Sequence, residues 1–352
     1  MRTVLAITSA VCVLVMAALV VASPRTASAC AGLIGSNGAV NLGRTTTLSG
    51  YHEGVEHYVT AFEFQGGGGE FGTLIPLPGV PSKVERGGDW TLQRLVRETQ
   101  VLKFAEFGEA LAAAPSAEVL QQVRIDALDI TVLKGGGPDV ATWATQHGFR
   151  LSPDAPEVLD FYAKRSPIFL AAVFDGEAAA ARGQQIGDGT PVHITIPTSN
   201  PWVPLRILGL GKQPNDRVDA DVFLLTDSKP AILPGPRAGL TLAHSEKATD
   251  ALLADLRSDA GGDWVPQSAW LTKLEVNSSA ADLQYDLAID TTRAHSPSRV
   301  AAGFELPGPS ILEDDGSASR FVWLAVVGIL ALLIALFVLR LQANAGPRSP
   351  RV

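Results

Sequence analysis

Cysteine is almost missing from this chain: its 352 residues include only Cys12 and Cys30. Cys12 lies in an apolar leader, so the mature protein has no second thiol with which to close an intrachain disulfide. There is no C-x-x-C pair to grip zinc or exchange thiols. An excess of basic residues is missing too. The 28 Lys and Arg face 36 Asp and Glu, and setting aside Arg2, Arg25 and the three arginines from Arg340 onward leaves 23 against 36, a balance of −13. Such a surface repels nucleic acid and anionic headgroups, so neither is expected as a partner, and it favours solubility. Neither a G-x-S-x-G nucleophile motif nor a phosphate-binding loop occurs, and no cofactor or catalytic residue is expected. No internal repeat of fixed period is visible.

What the chain does have is a long apolar run at each end. After Met1 and Arg2, the stretch from Val4 to Ala22 is interrupted only by Thr8 and Ser9. Pro24 and Arg25 break it, and the small residues Ala27, Ser28 and Ala29 form a signal-peptidase site that cuts before Cys30. Residues 1–29 are therefore expected to be a signal peptide, with a retained anchor as the alternative. Cys30 at the cut also suits lipid attachment, although Ala27 stands where a larger aliphatic residue is usual and a second anchor is not needed. The second run, Phe321 to Leu339, holds 19 residues without a charge, about the ~20 needed to cross a bilayer as a helix. Acids Glu313 to Asp315 precede it, Arg340, Arg348 and Arg351 follow it, and Trp323 sits at the interface level. The positive-inside rule places the C-terminus in the cytoplasm. The expected organisation is an ectodomain over 30–295, a linker over 296–320, a transmembrane helix over 321–340 and a cytoplasmic tail over 341–352.

The ectodomain reads as α+β, rich in strands with several short helices, in lobes of about 30–176 and 190–295. Thr45–Tyr51, Val55–Gln65 and Phe71–Leu77 carry β-branched and aromatic residues and predict a meander ended by Pro76, Pro78 and Pro81. Asp89 is placed to cap a helix with Leu92, Leu95, Val96, Thr99 and Leu102 on one face. A strand is expected over Ile125–Leu133. Helices follow over Pro138–His147, stopped by Gly148, and after Ser152 and Pro153, with Ile168–Phe174 as a buried strand. In the second lobe, alternation predicts strands at Val192–Ile196, Val203–Leu210, Val218–Thr226 and Leu283–Ile289, and a helix over Ser245–Arg257.

The ordered run Ile130 through Phe174, with Trp143, His147-Gly148-Phe149 and Tyr162, resembles the bacterial exported family known as domain of unknown function 2330. So do the start at Cys30, the Leu74-Ile75-Pro76-Leu77-Pro78 segment, and Val192 to Leu208 with its Trp202-Val203-Pro204-Leu205-Arg206 core. The resemblance implies a signal peptide, an ectodomain and often a C-terminal anchor, and it implies no activity. Members usually carry further cysteines near the mature start; here only Cys30 is present.

Among candidate ligands, His52 and His57 invite a zinc reading, but H-E-x-x-H needs i+4 and this pair is i+5. That spacing divides the two along a strand or helix, so a metal site needs the turn at Gly54 to bring them together; two exposed hairpin histidines is the plainer expectation. Gly67, Gly69 and Gly72 spell G-x-G-x-x-G, yet an extended, proline-broken segment follows instead of the helix a pyrophosphate needs. His193 lies opposite Val192, Ile194 and Ile196. It reads as a structural histidine, or as a base if an acid and a serine approach. Asp216, Asp219 and Asp221 lack the glycine and glutamate of a calcium loop and read as a solvated strand edge. Trp202, Trp264 and Trp270 offer either core or a sugar-stacking surface. Two functions remain open: a noncatalytic cell-envelope module binding a protein or cell-wall partner, and an extracytoplasmic hydrolase whose site is dispersed in sequence.

Overall fold

The computed structural model describes residues 27–28, 32–35, 44–62, 71–99, 118–175, 181–182, 189–292 and 296–307. The expected membrane segment, with Phe321, Trp323, Leu339 and Arg340, lies outside these residues, as do Ala29, Cys30, Gly67 and Gly69. Among the described residues no helix is long and apolar enough to cross a membrane.

The chain opens with short strands β1 (Ala27–Ser28) and β2 (Gly32–Gly35), then the hairpin β3 (Arg44–His52) and β4 (Val55–Phe62). Glu53 and Gly54 turn it with φ of 49° and 81°. Two central residues at positive φ match the right-handed twist of the flanking strands, and glycine accepts the second without cost. The backbone of β1 pairs in parallel with β3; cleavage after Ala29 would remove it and leave β3 between two longer neighbours. β5 (Phe71–Leu77) and β6 (Lys83–Arg86) lead to helix α1 (Thr91–Thr99). The helix starts two residues past Asp89, whose carboxylate binds Arg86 Nη2 at 2.6 Å instead of capping.

β7 (Glu118–Ile125) and β8 (Leu128–Lys134) form a hairpin about Asp126 and Ala127, so the strand expected from Ile125 is two strands and a turn. Helix α2 (Gly137–Gln146) ends at Gly148, φ 79°, where Phe149 N–H bonds back to Ala144 O at 3.0 Å. Helix α3 (Ala155–Ala163) crosses it closely; a Cβ on Gly137 would stand 2.7 Å from Asp160 N. β9 (Ile168–Phe174), β10 (Thr190–Pro197) and β11 (Trp202–Val203) follow. Pro204 stops β11 and a 3₁₀ turn occupies Arg206–Gly209, which corrects the strand expected to Leu210. Next come β12 (Arg217–Thr226), β13 (Ala231–Leu233) and β14 (Leu240–Lys247). Helix α4 (Asp250–Ser258) starts where Thr249 accepts from Leu252 N–H at 3.2 Å, so Ser245–Lys247 is strand and not the first turn of the expected helix. β15 (Trp270–Ser279) and β16 (Leu287–Asp290) end the series.

The large sheet runs β14-β15-β12-β3-β4-β10-β6, a second runs β2-β5-β9-β8-β7, and β11-β16-β13 forms a small third. The expected meander is broken, because β5 leaves its hairpin for the second sheet. Its residues explain the move: Leu74 packs toward α2 and α3 while Ile75 and Leu77 pack toward the large sheet, so both faces are buried. Three apolar layers result. One fills the space between the two sheets, one lies between the second sheet and α2 and α3, and one joins the large sheet to α1 and α4 through Leu48, Val59, Leu95, Phe223 and Leu252. The architecture is α+β and strand-rich. The portions 30–176 and 190–295 share the large sheet, since β3 and β4 stand between β12 and β10, and residues up to Leu306 form one unit. The start of the expected linker packs on this unit: Ala301 and Ala302 are buried, and Asp286 N–H bonds Ala302 O at 3.1 Å.

Candidate functional site

On the face of the large sheet that carries α1 and α4, a narrow cleft opens beside the sheet. Gly87, Gly88 and Thr91 form one wall, Gly261, Gly262 and Trp264 the other, and His193 the floor. Alternation along β10 turns Val192, Ile194 and Ile196 into the intersheet core and sends His193 the other way, as the sequence pattern predicts. His193 is buried, and its Nε2 lies 2.9 Å from Nδ1 of His57 on β4. On its other side, His193 Nδ1 stands 3.4 Å from Glu85 Oε1 on β6 without the alignment of a hydrogen bond. Carboxylate, imidazole and imidazole thus form a line across three adjacent strands. His57 stacks on Trp264, with ring centroids 4.2 Å apart and planes 5° apart.

Small residues let these groups approach. Gly50 faces His57 across the hairpin, and a Cβ there would stand 2.1 Å from a Trp264 ring carbon. Gly88 abuts the carboxylate of Asp259, where a Cβ would come within 2.1 Å of Oδ2. Asp259 Oδ2 accepts from Thr91 Oγ1 at 2.7 Å and from Trp90 N–H at 3.2 Å, tying the loop after α4 to the start of α1. Burial drives the electrostatics. It lowers His57 to about 3, with the charge of His193 and then of His52 adding to the effect. Burial also lowers His193, against the opposing pull of Glu85. Both rings are therefore neutral at pH 7, one nitrogen donating to the other.

This placement corrects several expectations. His57 is buried rather than exposed. The i+5 spacing does not divide His52 from His57, because a two-residue turn folds the strand back and residues paired across a hairpin share a face. The two still have separate partners: His52 Nδ1 lies 2.6 Å from Asp227 Oδ1, on the far side of the hairpin end. Among the described residues no group of three His, Cys, Asp or Glu is arranged to hold a metal. Gly72 sits in β5 against the Phe149 ring, not at a nucleotide. Asp219 and Asp221 belong to an interior strand, and Asp221 is buried beside Lys273. The tryptophans are dispersed: Trp202 packs in the layer under α3, Trp264 walls the cleft, and Trp270 Nε1 donates to Ser245 Oγ at 2.9 Å. Glu85, Thr91 and Asp259 are absent from the sequence reading because each meets its partners only through pairing of distant segments. The paired glycines at 87–88 and 261–262 are the trace that could have drawn attention to the cleft.

A second polar centre is structural. Asp286 accepts from Tyr162 Oη at 2.8 Å, Leu205 N–H at 2.7 Å and Arg206 N–H at 3.0 Å, and pairs with Arg165. The Arg165 guanidinium lies over the Phe161, Tyr162 and Trp202 rings. The Trp202-Val203-Pro204-Leu205-Arg206 segment and the Tyr162 helix therefore meet at one fully bonded carboxylate.

Among solved structures, mutated baculovirus P35 after caspase cleavage is similar in two crystal structures. One has TM-score 0.38 and 9% identity over 70% of this chain and 99% of that one. The other has 0.34 and 8% over 72% and 98%. The P35 of a caspase-8 complex is similar at TM-score 0.34 and 8% identity over 70% and 96%. Likeness of this degree carries no functional argument. No curated protein matches the sequence. Residues 24–289, which include the two larger sheets, the cleft and Asp286, match one family throughout, and the chain belongs to it: the uncharacterized proteins conserved in bacteria, DUF2330.

Proposed function

We propose that this protein is a noncatalytic binding module of the cell envelope, held outside the cytoplasm by a membrane helix at 321–340 with its C-terminus inside. The leader, the uncharged run at Phe321–Leu339 and the arginines after it support the placement. The observation that carries the binding reading is the state of the cleft. Its two imidazoles are hydrogen-bonded to each other, Trp264 covers His57, and the one hydroxyl in the wall, Thr91, donates to Asp259 rather than to a histidine. Hydrolysis of an ester or peptide through a covalent intermediate asks for a side-chain nucleophile paired with a base, and here the pairing is between bases. The cleft has room for little more than a water molecule, so a segment of an envelope protein or a cell-wall chain would be met by the surface around its mouth, where Trp90 is exposed, rather than by its interior.

A photoreactive side chain installed at exposed Trp90, beside the cleft, tests this in intact cells. A discrete adduct from Trp90 that is missing when the same group replaces Val119, on β7 of the other sheet, is expected. No adduct from either position overturns the reading. Protease added to spheroplasts is expected to remove the ectodomain and spare the tail, and a protected ectodomain overturns the topology.

One observation favours a second reading, the dispersed hydrolase: the line from Glu85 through His193 to His57 could pass a proton. Ester or peptide cleavage by purified protein, abolished in His193→Ala, would establish it over the first.

A further inference from the structure

One buried charge cluster belongs neither to the cleft nor to the Asp286 centre. Lys273 on β15 and Asp221 on β12 are diagonal neighbours on adjacent antiparallel strands, on the face that carries Phe223. Their side chains are 2% and 3% exposed, and Nζ stands 3.1 Å from Asp221 Oδ1. Glu275, the residue directly opposite Asp221, brings Oε1 to 2.6 Å from the same Nζ and is 39% exposed. The Phe223 ring lies 5.9 Å from the amine. A lysine in the middle of an interior strand, with one carboxylate in reach for attack and another in reach for its proton, is the arrangement that amide condensation requires.

We propose that Lys273 and Asp221 are joined by an isopeptide bond that forms spontaneously once the sheet has folded. Nζ of the ammonium passes one proton to Glu275, and its lone pair attacks Cγ of Asp221. The tetrahedral intermediate expels one Asp221 oxygen as water, which takes the proton back from Glu275 and a second from the nitrogen. The product is a neutral amide, one water is released, and Glu275 ends as it began. No oxidant or activated donor is consumed. Two influences favour this step inside the sheet. Fixing amine and carboxyl in contact gives a high effective concentration. The reaction also removes an ammonium and a carboxylate from a site where both are costly to keep charged. The consequence is a covalent tie between β12 and β15 in a protein whose mature chain has no pair of cysteines to make one.

Mass spectrometry of the detergent-extracted full chain tests the bond. Trypsin does not cut after an acylated lysine, so wild type is expected to give a branched species joining residues 218–237 to residues 258–293, lighter than the two by one water. Lys273→Arg is expected to lack it. Recovery of wild type only as separate peptides, cut after Lys273, overturns the proposal. Should Lys273→Arg fail to fold, Glu275→Gln provides the second variant: it keeps the size of the side chain but cannot take the proton. It is expected to keep the circular dichroism of wild type while yielding only unlinked peptides. A linked Glu275→Gln overturns the role given to Glu275.

Discussion

Two kinds of buried acid-base residue pull the stability of this fold in opposite directions with pH. Glu56 on β4 is wholly buried on the face opposite His57. Its Oε1 accepts from Ser49 Oγ at 2.7 Å while Oε2 finds no hydrogen bond. Burial raises it to about 8. The folded state therefore holds a proton that the unfolded chain releases near 4.5. Its contribution is complete below pH 4.5 and is lost as pH rises toward 8, at about 1.4 kcal/mol per pH unit for a fully linked group. Glu56→Gln has the shape of the protonated acid and nothing to titrate. Urea melts at pH 5 and pH 8 should show the variant gaining on wild type at the higher pH, and a constant difference would refute the linkage.

The histidines act in the other sense. His57 is lowered to about 3 and His147, stacked on Trp143 with centroids 3.7 Å apart, to about 4, both by burial. The unfolded chain takes up protons near 6.5 that the folded state refuses until well below that. Their contribution is complete above pH 6.5 and falls as pH drops. His57→Asn removes one of these groups. Whatever its cost at pH 7, the dependence of its stability on pH between 6.5 and 4 should be shallower than that of wild type, as read from denaturant midpoints at a series of pH values.

At the scale of elements, β3 and the loop after α4 are fitted to each other through Gly50. A methyl group there meets the Trp264 ring at 2.1 Å, and the indole cannot retreat without leaving His57. Overpacking of this kind costs about 1–3 kcal/mol, so Gly50→Ala should lower stability by that amount. Loss of the 2.9 Å His57–His193 bond should show in the imidazole resonances by NMR. Unchanged stability would mean that Trp264 is not seated as described.

Elements with a clear period were legible in the sequence. β10 alternates strictly, β9 is a continuous apolar run, and α2 has its proline at the start and Gly148 at its end. The misreadings have local causes. Ile125–Leu133 looks continuous because Asp126 and Ala127 do not advertise a turn, although Asp126 sits at φ 53°. Ser245–Arg257 looks helical from its first residue because Ser245 and Thr249 are both plausible caps, and only pairing with β15 decides between them. Of the cleft, His193 and His57 were visible as histidines. Their contact was not, because it depends on antiparallel pairing of β4 with β10, which lie far apart along the chain.

For the whole molecule, the shared sheet makes the two halves inseparable. β4 takes β10 on one side and β3 takes β12 on the other, so the first half alone would leave both sides of its hairpin open. A fragment of residues 30–176 is expected to be aggregated or unfolded by circular dichroism, and the same residues together with 177–307 to be soluble and cooperative. Cooperative melting of the shorter fragment would contradict a single folding unit.

The parallel contact between β3 and β12, in which Leu48 meets Phe223, also sets a timetable. Synthesis releases a chain from its N-terminus, so the β3–β4 hairpin exists long before either flanking strand has been made. An open hairpin with β-branched edges is a template for other chains, and contacts so distant in sequence form slowly. The second half of this protein therefore serves the first as a late-arriving guard, and a ribosome that stalls before β12 releases a fragment with two unprotected edges.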